Sequence, residues 1–171
     1  MALLEILHYP DPRLKQKAAP VAEITPEIRQ LVDDMAETMY AAPGIGLAAN
    51  QVGALVRIFV IDIADEGEPS DLKVFINPEI VSSSGTQTFN EGCLSFPGAS
   101  EEIKRAAELV IRAQDVDGKP FELAADGLLA VAIQHEYDHI DGVLMIDKVG
   151  PIKRRKISRQ VQEALAERAY E

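Results

Sequence analysis

The chain has 171 residues, of which 47% are hydrophobic and 26% charged, which is enough for one domain (residues 1–171) with a sizeable core. It lacks an apolar run near the roughly 20 residues that cross a bilayer, and its net charge of −11 argues against general binding to DNA or other nucleic acids. The single cysteine, Cys93, excludes an internal disulfide, and together with an N-terminus unlike a signal peptide it predicts a cytoplasmic protein.

The first predicted element is a helix that begins at Thr25-Pro26-Glu27, where an N-cap residue precedes a proline and an acidic residue. Pro43 and Gly44 end this helix. The next segment, GIGLAANQVG, is too rich in glycine and small residues to predict a regular element. It is typical of a helix-to-strand turn, but that interpretation does not explain why Gln51 follows a compact apolar loop.

The middle of the chain contains runs of residues that favour β-strands. Residues 55–63 form the first run, and residues 73–76 lead into a turn signal at Asn77-Pro78. Residues 79–83 and 86–89 flank Ser84-Gly85, which predicts a hairpin. Residues 109–114 and 121–124 flank Asp117-Gly118, which predicts a second one.

The stretch from Asp126 to Gly142 predicts a central helix, with a possible N-cap at one end and a helix-ending glycine at the other. It is apolar almost all round from residue 128 to 133, which is typical of a helix buried inside a domain. His135 and His139 continue the apolar face, and with Glu136 they form the H-E-x-x-H pattern, which can hold a metal ion. The alternative is that both histidines are ordinary helix residues bonded to carbonyls or carboxylates.

Pro151 begins a last predicted helix, which extends to about residue 169. These elements predict an α+β fold, in which mostly antiparallel strands pack around the buried central helix, with one further helix towards each end of the chain. Five basic residues cluster in the last helix and can either form a solvated face or bind phosphates: Lys153, Arg154, Arg155, Lys156 and Arg159.

A catalytic metal site of this kind needs a third protein ligand and one open position. Cys93 lies at an irregular, glycine-flanked point between strands, and it is the best available soft donor. A lone cysteine is more often a small buried hydrophobe. Glu163 and Glu167 are downstream glutamates of the kind that protease sites recruit, but the helix that carries them is typical of a surface element.

Three blocks occur in order along the chain: GIGLAANQ (residues 44–51), EGCLS (residues 91–95) and QHEYDH (residues 134–139). Together they resemble the blocks of the peptide deformylase family, and the similarity continues through the flanking sequence over essentially the whole chain. The compact length resembles the Gram-negative-type bacterial enzymes of that family. The resemblance implies a hydrolase that removes the N-formyl group from the N-terminal methionine of nascent polypeptides.

The resemblance also implies roles for individual residues. Cys93, His135 and His139 would bind one divalent metal ion, Fe²⁺ in the cell, with Zn²⁺, Ni²⁺ or Co²⁺ as other ions that such ligands suit. A water activated by the metal would attack the formyl carbon, with Glu136 as general acid and base. Gln51 and the backbone N–H of Leu94 would stabilise the oxyanion.

A second set of residues would bind the substrate. Backbone groups of Ile45, Gly46 and Gly92 would take an N-formylmethionyl peptide as an added strand. The methionine pocket would be walled by Ile45, Phe89, Leu128, Val131 and Ala132. One departure is visible, because Ser100 stands where related sequences often carry arginine, whereas Arg105 keeps the second basic position.

The family's C-terminal helix implies docking to the ribosome through the basic cluster of residues 153–159. Two other functions stay open from the residues themselves. One is a zinc endopeptidase of the H-E-x-x-H type, and the other is a metal-stabilised binding module without catalytic activity. Gln51 and Glu136 argue against the binding module, because neither is needed to hold a metal.

Overall fold

The structure is a computed structural model of the chain and describes residues 2–65 and 67–168. Three α-helices and seven strands are found in this part of the chain. In chain order they are α1 (Pro26–Ala41), β1 (Gly46–Ala48), β2 (Ile58–Ile61), β3 (Lys73–Ser84), β4 (Gln87–Gly92), β5 (Ser100–Arg105), β6 (Glu108–Gln114), β7 (Pro120–Asp126), α2 (Gly127–Ile140) and α3 (Pro151–Arg168).

The strands form two antiparallel sheets. The larger sheet has the order β1-β2-β3-β6-β7, which makes β1 an edge strand, and the smaller one pairs β4 with β5. Helix α2 packs against β1, β2 and β7 of the larger sheet. The α+β prediction with mostly antiparallel strands is therefore confirmed, and α2 is the helix predicted from residue 126 to 142.

The hairpin predicted around Ser84-Gly85 is wrong. Residues 73–84 and 87–92 are both strands, but β3 pairs with β2 and β6, whereas β4 leaves for the second sheet and pairs with β5. At the turn, Ser84 lies opposite Glu108 of β6. The place that β4 would need beside β3 is thus taken by a strand from further along the chain, which a local turn signal cannot reveal.

The turn predicted at Asn77-Pro78 is also wrong, because β3 continues through it as a bulge. Asn77 has a φ of 51°, and the β3–β6 register shifts between Ile76 and Glu79. The Asn77 side chain accepts a hydrogen bond from the Val21 N–H at 2.7 Å and donates one to the Val21 carbonyl at 2.8 Å. The bulge therefore ties the N-terminal segment to the sheet.

Two further segments differ from their sequence predictions. The strand predicted over residues 55–63 is shorter, because β2 covers only residues 58–61. The glycine-rich segment 44–53, for which no regular element was predicted, contains β1.

Helix α2 is buried over most of its surface, but not all round as its sequence suggests. Ala130, Val131 and Ile133 are buried, whereas Leu128 is 41% exposed. Asp126 occupies the N-cap position without a side-chain hydrogen bond to the helix. Gly142 follows the helix with a φ of 76°, the left-handed conformation expected of a helix-ending glycine.

The outer helices agree closely with their sequence signals. Thr25 caps α1 by accepting a hydrogen bond from the Ile28 N–H at 3.2 Å. Helix α3 buries Ile157 and Val161 in a cluster that also contains Phe96, and the predicted end at residue 169 lies outside the described residues. Within the described residues, every helix is too short or too polar to cross a membrane.

Candidate metal centre and active site

Three potential metal ligands, two of them on α2, lie close together. His135 and His139 lie one turn apart on the helix, and their Nε2 atoms are 3.2 Å from each other. Cys93 directly follows β4, and its Sγ lies 3.3 Å from His139 Nε2. All three donor atoms lie within 4.8 Å of one another, so two separate elements bring them to one point.

The chemistry of these three side chains fits a bound cation. Bond lengths of about 2.0–2.3 Å in a tetrahedral site put neighbouring ligand atoms roughly 3.3–3.6 Å apart, close to the separations found here. Burial alone would lower the pKa of His135, but the facing Cys93 and Glu91 raise it well above its ordinary value. Burial and the charge on His135 lower the pKa of His139. The cluster therefore stabilises positive charge at its centre, where a divalent ion can replace a proton.

Glu91 fixes the orientation of the His135 ring by bonding to Nδ1, the ring nitrogen that faces away from the metal cluster. Its Oε1 accepts a hydrogen bond from His135 Nδ1 at 2.9 Å, which leaves Nε2 directed towards Cys93 and His139. The Glu91 side chain is 5% exposed and forms a two-bond ion pair with Arg105, at 2.8 and 2.9 Å. Burial raises the pKa of Glu91, but the hydrogen bonds from Arg105 and His135 outweigh it and keep the pKa below its ordinary value.

Arg105 does not occupy the position expected of a substrate contact. Its side chain is only 4% exposed, and it is held between Glu91 and Asp138. The physical reason is that β5 points this guanidinium towards the buried carboxylate of Glu91 and the partly buried one of Asp138, which bind its planar fork through charge-assisted hydrogen bonds. Ser100 lies at the start of the same strand, opposite Gly92, and it is exposed.

Gln51 is held rigidly beside the sulfur. It is 1% exposed, its Oε1 accepts a hydrogen bond from the Ala48 N–H at 2.9 Å, and its Nε2 donates to Ser95 Oγ at 3.0 Å. Nε2 also lies 3.6 Å from Cys93 Sγ. These bonds hold the amide nitrogen of Gln51 beside the metal cluster.

Glu136 is a buried carboxylate beside the cluster. It is 5% exposed, and its Oε1 lacks a hydrogen-bond partner among the described residues. Burial raises its pKa to about 7, although His135 and Arg105 act in the opposite direction. Its Oε2 lies so close to Gly46 that a Cβ there would be 2.5 Å away, so only glycine leaves room for it. A carboxyl group with this pKa can accept and return a proton near neutral pH.

A cleft opens onto these groups. A cavity of about 370 Å³ is lined by residues 43–46, Gln51, residues 92–94, His135 and Glu136. An adjoining pocket of about 110 Å³ is walled by Ile45, Phe89, Leu128, Val131 and Ala132, together with residues 90–92, His135 and Glu136. Every residue expected to form the methionine pocket therefore lines this smaller cavity.

The family described as polypeptide deformylase matches residues 3–155 of the chain. The chain belongs to the polypeptide deformylase family. The peptide deformylase of Alkalilimnicola ehrlichii is 52% identical over 163 residues, which cover 95% of this chain and 91% of that protein. That of Syntrophobacter fumaroxidans is 51% identical over 170 residues, which cover 97% of this chain and 100% of that protein.

Solved deformylase structures share the whole fold. The peptide deformylase of Legionella pneumophila superposes with a TM-score of 0.95 at 43% identity, covering 99% of both chains. The one from Ehrlichia chaffeensis in complex with actinonin gives a TM-score of 0.90 at 37% identity, covering 95% of this chain and 98% of that one. This deformylase is accordingly a hydrolase of protein biosynthesis with a site able to bind metal.

Sequence reasoning missed three residues that support the deformylase site. Glu91 orients His135, Ser95 orients Gln51, and Asp138 pairs with Arg105. Glu91 and Ser95 lie two residues to either side of Cys93, so their presence in the EGCLS block was the available signal. The downstream glutamates Glu163 and Glu167 are exposed on α3.

Proposed function

We propose that this chain hydrolyses the formyl amide of N-formylmethionyl peptides and uses one divalent metal ion to do so. The observation that carries the proposal is the meeting of Cys93, His135 and His139 beside the buried Glu136, at the floor of a cleft next to an edge strand. Its natural substrates would be nascent polypeptides, which implies action in the cytoplasm.

The metal would be held by the Sγ of Cys93 and the Nε2 atoms of His135 and His139. Such an ion supplies Lewis acidity, which polarises a carbonyl and lowers the pKa of water towards 7. Sulfur and imidazole donors suit Fe²⁺, Co²⁺, Ni²⁺ and Zn²⁺, and we propose Fe²⁺ as the ion in the cell.

Glu136 would move the protons of the reaction. It takes a proton from the attacking water as the water adds to the formyl carbon, and it then gives that proton to the amine that leaves. Its burial supports this role, because a carboxyl group whose pKa lies at about 7 is poised for transfer in both directions.

The oxyanion would be stabilised by Gln51 and by the backbone N–H of Leu94. The bonds to Ala48 and Ser95 support the role of Gln51, since they hold its amide in place before the substrate arrives. Donors fixed in advance lose little energy in reorganisation, and the loss of one typically lowers the rate by about 10²–10³-fold.

The peptide would bind along the free edge of β1. Backbone groups of Ile45 and Gly46 lie on one side of the cleft, and Gly92 lies on the other, so an extended peptide can add as a strand between the two sheets. Its methionine side chain would enter the pocket walled by Phe89, Leu128 and the neighbouring apolar residues. Crowding at the reacting carbonyl would favour a formyl hydrogen over the methyl group of an acetyl amide, and the close approach of Glu136 to Gly46 supports this preference.

The test uses protein loaded anaerobically with Fe²⁺ and three substrates: a formyl-methionyl tripeptide, its acetyl counterpart and an unstructured protein. We expect formate release from the first alone. Equal cleavage of the acetyl peptide would contradict the formyl preference, and cleavage within the unstructured protein would support the endopeptidase instead. Glu136→Gln should retain metal and lose at least about 10²-fold in kcat. Glu163→Gln, on the exposed face of α3, serves as the control.

We also propose that the basic cluster of α3 contacts ribosomal RNA. Lys153 and Lys156 pair with Glu101 at 3.2 and 3.4 Å, so part of their charge is already balanced. Arg154, Arg155 and Arg159 instead line a groove beside Lys15. These arginines are therefore the better candidates for phosphate contacts.

The ribosome contact can be tested by co-sedimentation at increasing salt. Replacing Arg154, Arg155 and Arg159 by Gln should weaken binding and flatten its dependence on salt, because fewer counterions are released. A Lys104→Gln variant outside α3 is the control. Co-sedimentation that is equal for the triple variant and the wild type would contradict the proposal.

A further inference from the structure

Asp62 is a buried carboxylate at the end of an otherwise apolar strand. The four residues of β2 before it are fully buried and apolar, and Asp62 itself is 7% exposed. A buried carboxylate is costly unless donors surround it. Asp62 has three: its Oδ2 accepts from Tyr40 Oη at 2.7 Å and from the Asp71 N–H at 3.0 Å, and its Oδ1 accepts from the Ala64 N–H at 2.9 Å.

The same residue holds the beginning of the cleft wall. The backbone N–H of Asp62 donates to the Ile45 carbonyl at 2.9 Å, directly before β1. Tyr40 lies in the last turn of α1, so Asp62 is bonded to both ends of the segment 40–45. Burial and the neighbouring Asp62 raise the pKa of Tyr40 to about 12, which keeps its hydroxyl protonated as the donor.

This segment needs such an anchor because it joins a helix to an edge strand through two glycines, Gly44 and Gly46. Glycine allows more backbone conformations than other residues, so a chain with two of them loses more entropy when it is ordered. The Ile45 side chain is 45% exposed, and its backbone borders the cleft. A cleft wall that is already ordered binds a peptide more tightly than a wall that becomes ordered only when the peptide binds, because the entropy cost is not charged to binding.

We propose that Asp62, with Tyr40, is a positioning residue that presets the backbone of Ile45 and Gly46 for binding of the peptide as an added strand. The inference rests on the proposed function and extends it, since it assigns a role in substrate binding to residues that lie outside the metal centre. As a consequence, the gain in binding affinity grows with the length of peptide that lies along β1. A substrate with little chain beyond methionine gains little from it.

The test measures kcat and KM for formylmethionine amide and for a formyl-methionyl tetrapeptide. Asp62→Asn replaces one acceptor oxygen with an amide group, so we expect KM for the tetrapeptide to rise about tenfold. We expect kcat, and both constants for formylmethionine amide, to change less than about twofold. Tyr40→Phe removes one donor only and should give a smaller rise of the same kind. The double variant should resemble Asp62→Asn, because the contact that Tyr40→Phe removes is one of those already weakened in Asp62→Asn.

Thr38→Val is the matched control. Thr38 lies on α1 two residues before Tyr40, is 4% exposed, and bonds to Leu4 N and Asp34 O, away from the cleft. It should lower stability without raising KM for the tetrapeptide. A second measurement is amide hydrogen exchange of residues 44–46, which should be faster in Asp62→Asn and Tyr40→Phe and unchanged in Thr38→Val.

Two results would overturn the inference: an unchanged KM for the tetrapeptide in Asp62→Asn, or an equal loss with both substrates. If Asp62→Asn does not fold, Tyr40→Phe decides the question by the same two criteria. Failure of the wild-type enzyme to cleave either formyl substrate would refute the proposed function instead. The hydrogen-exchange comparison would still test whether Asp62 orders the segment.

Discussion

At the scale of single residues, the candidate site depends on side chains that hold other side chains. His135 is oriented by Glu91, Glu91 by Arg105, and Gln51 by Ser95. Each supporting bond is buried, so a missing partner leaves a polar group without compensation. The precision of the site therefore depends as much on these supports as on the groups that would touch metal or substrate.

Replacing Glu91 by Gln should weaken metal binding by about 10–100-fold, because His135 loses its charged partner and Arg105 loses its two-bond ion pair. The dissociation constant can be measured by competition with a chelator. Glu101→Gln is the matched control, since Glu101 lies directly opposite Glu91 on β5 but pairs with lysines of α3. Equal metal affinity in the two variants would show that Glu91 does not support His135.

Replacing Gly46 by Ala should lower kcat by about 10²-fold, because the added methyl group must displace the Glu136 carboxylate. Steady-state kinetics with a formyl-methionyl peptide measures the effect, and Gly150→Ala is the control, since a Cβ at Gly150 meets no atom of the described residues within 4 Å. A variant with unchanged kcat would mean that Glu136 has room to move and that its position is not decisive.

At the scale of elements, each part of the site is delivered by a different kind of segment. A helix carries the histidines, the end of a strand in the second sheet carries Cys93, and an edge strand of the first sheet provides the cleft wall. Helix α3 packs on the cluster that holds Phe96, just after Cys93, and so supports the turn that carries the sulfur.

Replacing Ile157 by Ala should therefore destabilise the protein by about 2–5 kcal/mol, since Ile157 is fully buried beneath α3. Urea unfolding measures the loss. Ile152, on the same helix, is 82% exposed, and Ile152→Ala should change stability by less than about 0.5 kcal/mol. Similar losses for both variants would contradict the packing of α3.

The anchor at Asp62 also predicts a dependence of stability on pH. Burial would raise the pKa of Asp62, but the hydrogen bonds from Tyr40, Ala64 and Asp71 outweigh it and lower the pKa. A lowered pKa means that Asp62 stabilises the fold at neutral pH, and that this contribution disappears as the pH falls below the ordinary aspartate pKa of about 3.9. The difference in unfolding free energy between wild type and Asp62→Asn should thus shrink from pH 7 to pH 3. A difference in unfolding free energy that stays constant over this pH range would contradict a stabilising role of the ionised Asp62.

At the scale of the whole molecule, the metal cluster joins the two sheets. The β4–β5 sheet contributes Cys93, and the five-stranded sheet carries α2 with His135 and His139. An ion held by all three binds the folded chain and not the unfolded one, so it adds to the stability of the whole.

Loading with a divalent ion at about 100 times its dissociation constant should stabilise the protein by about 2.7 kcal/mol. Calorimetry should record a higher melting temperature with the ion than after treatment with a chelator. Cys93→Ser is the control and should show a much smaller difference. Identical melting temperatures of the wild type with and without metal would contradict a shared site.

Local signals were sufficient for much of the architecture. The cap at Thr25, the prolines that open α1 and α3, and the H-E-x-x-H helix all depend on residues a few positions apart, and each corresponds to an observed helix. The residues predicted to wall a methionine pocket came from the same helix face and from the family resemblance, and the structure brings them together around one cavity.

The tertiary structure alone decided which strands pair and which buried charges meet. The turn at Ser84-Gly85 is compatible with a hairpin, but β6, which comes later in the chain, occupies the place beside β3. The family resemblance implies a substrate contact at Arg105, yet this side chain lies between Glu91 and Asp138, 14 and 33 residues away. Residue spacing determines local conformation, whereas strand partners and ion pairs depend on free-energy differences between distant segments, which a short pattern does not contain.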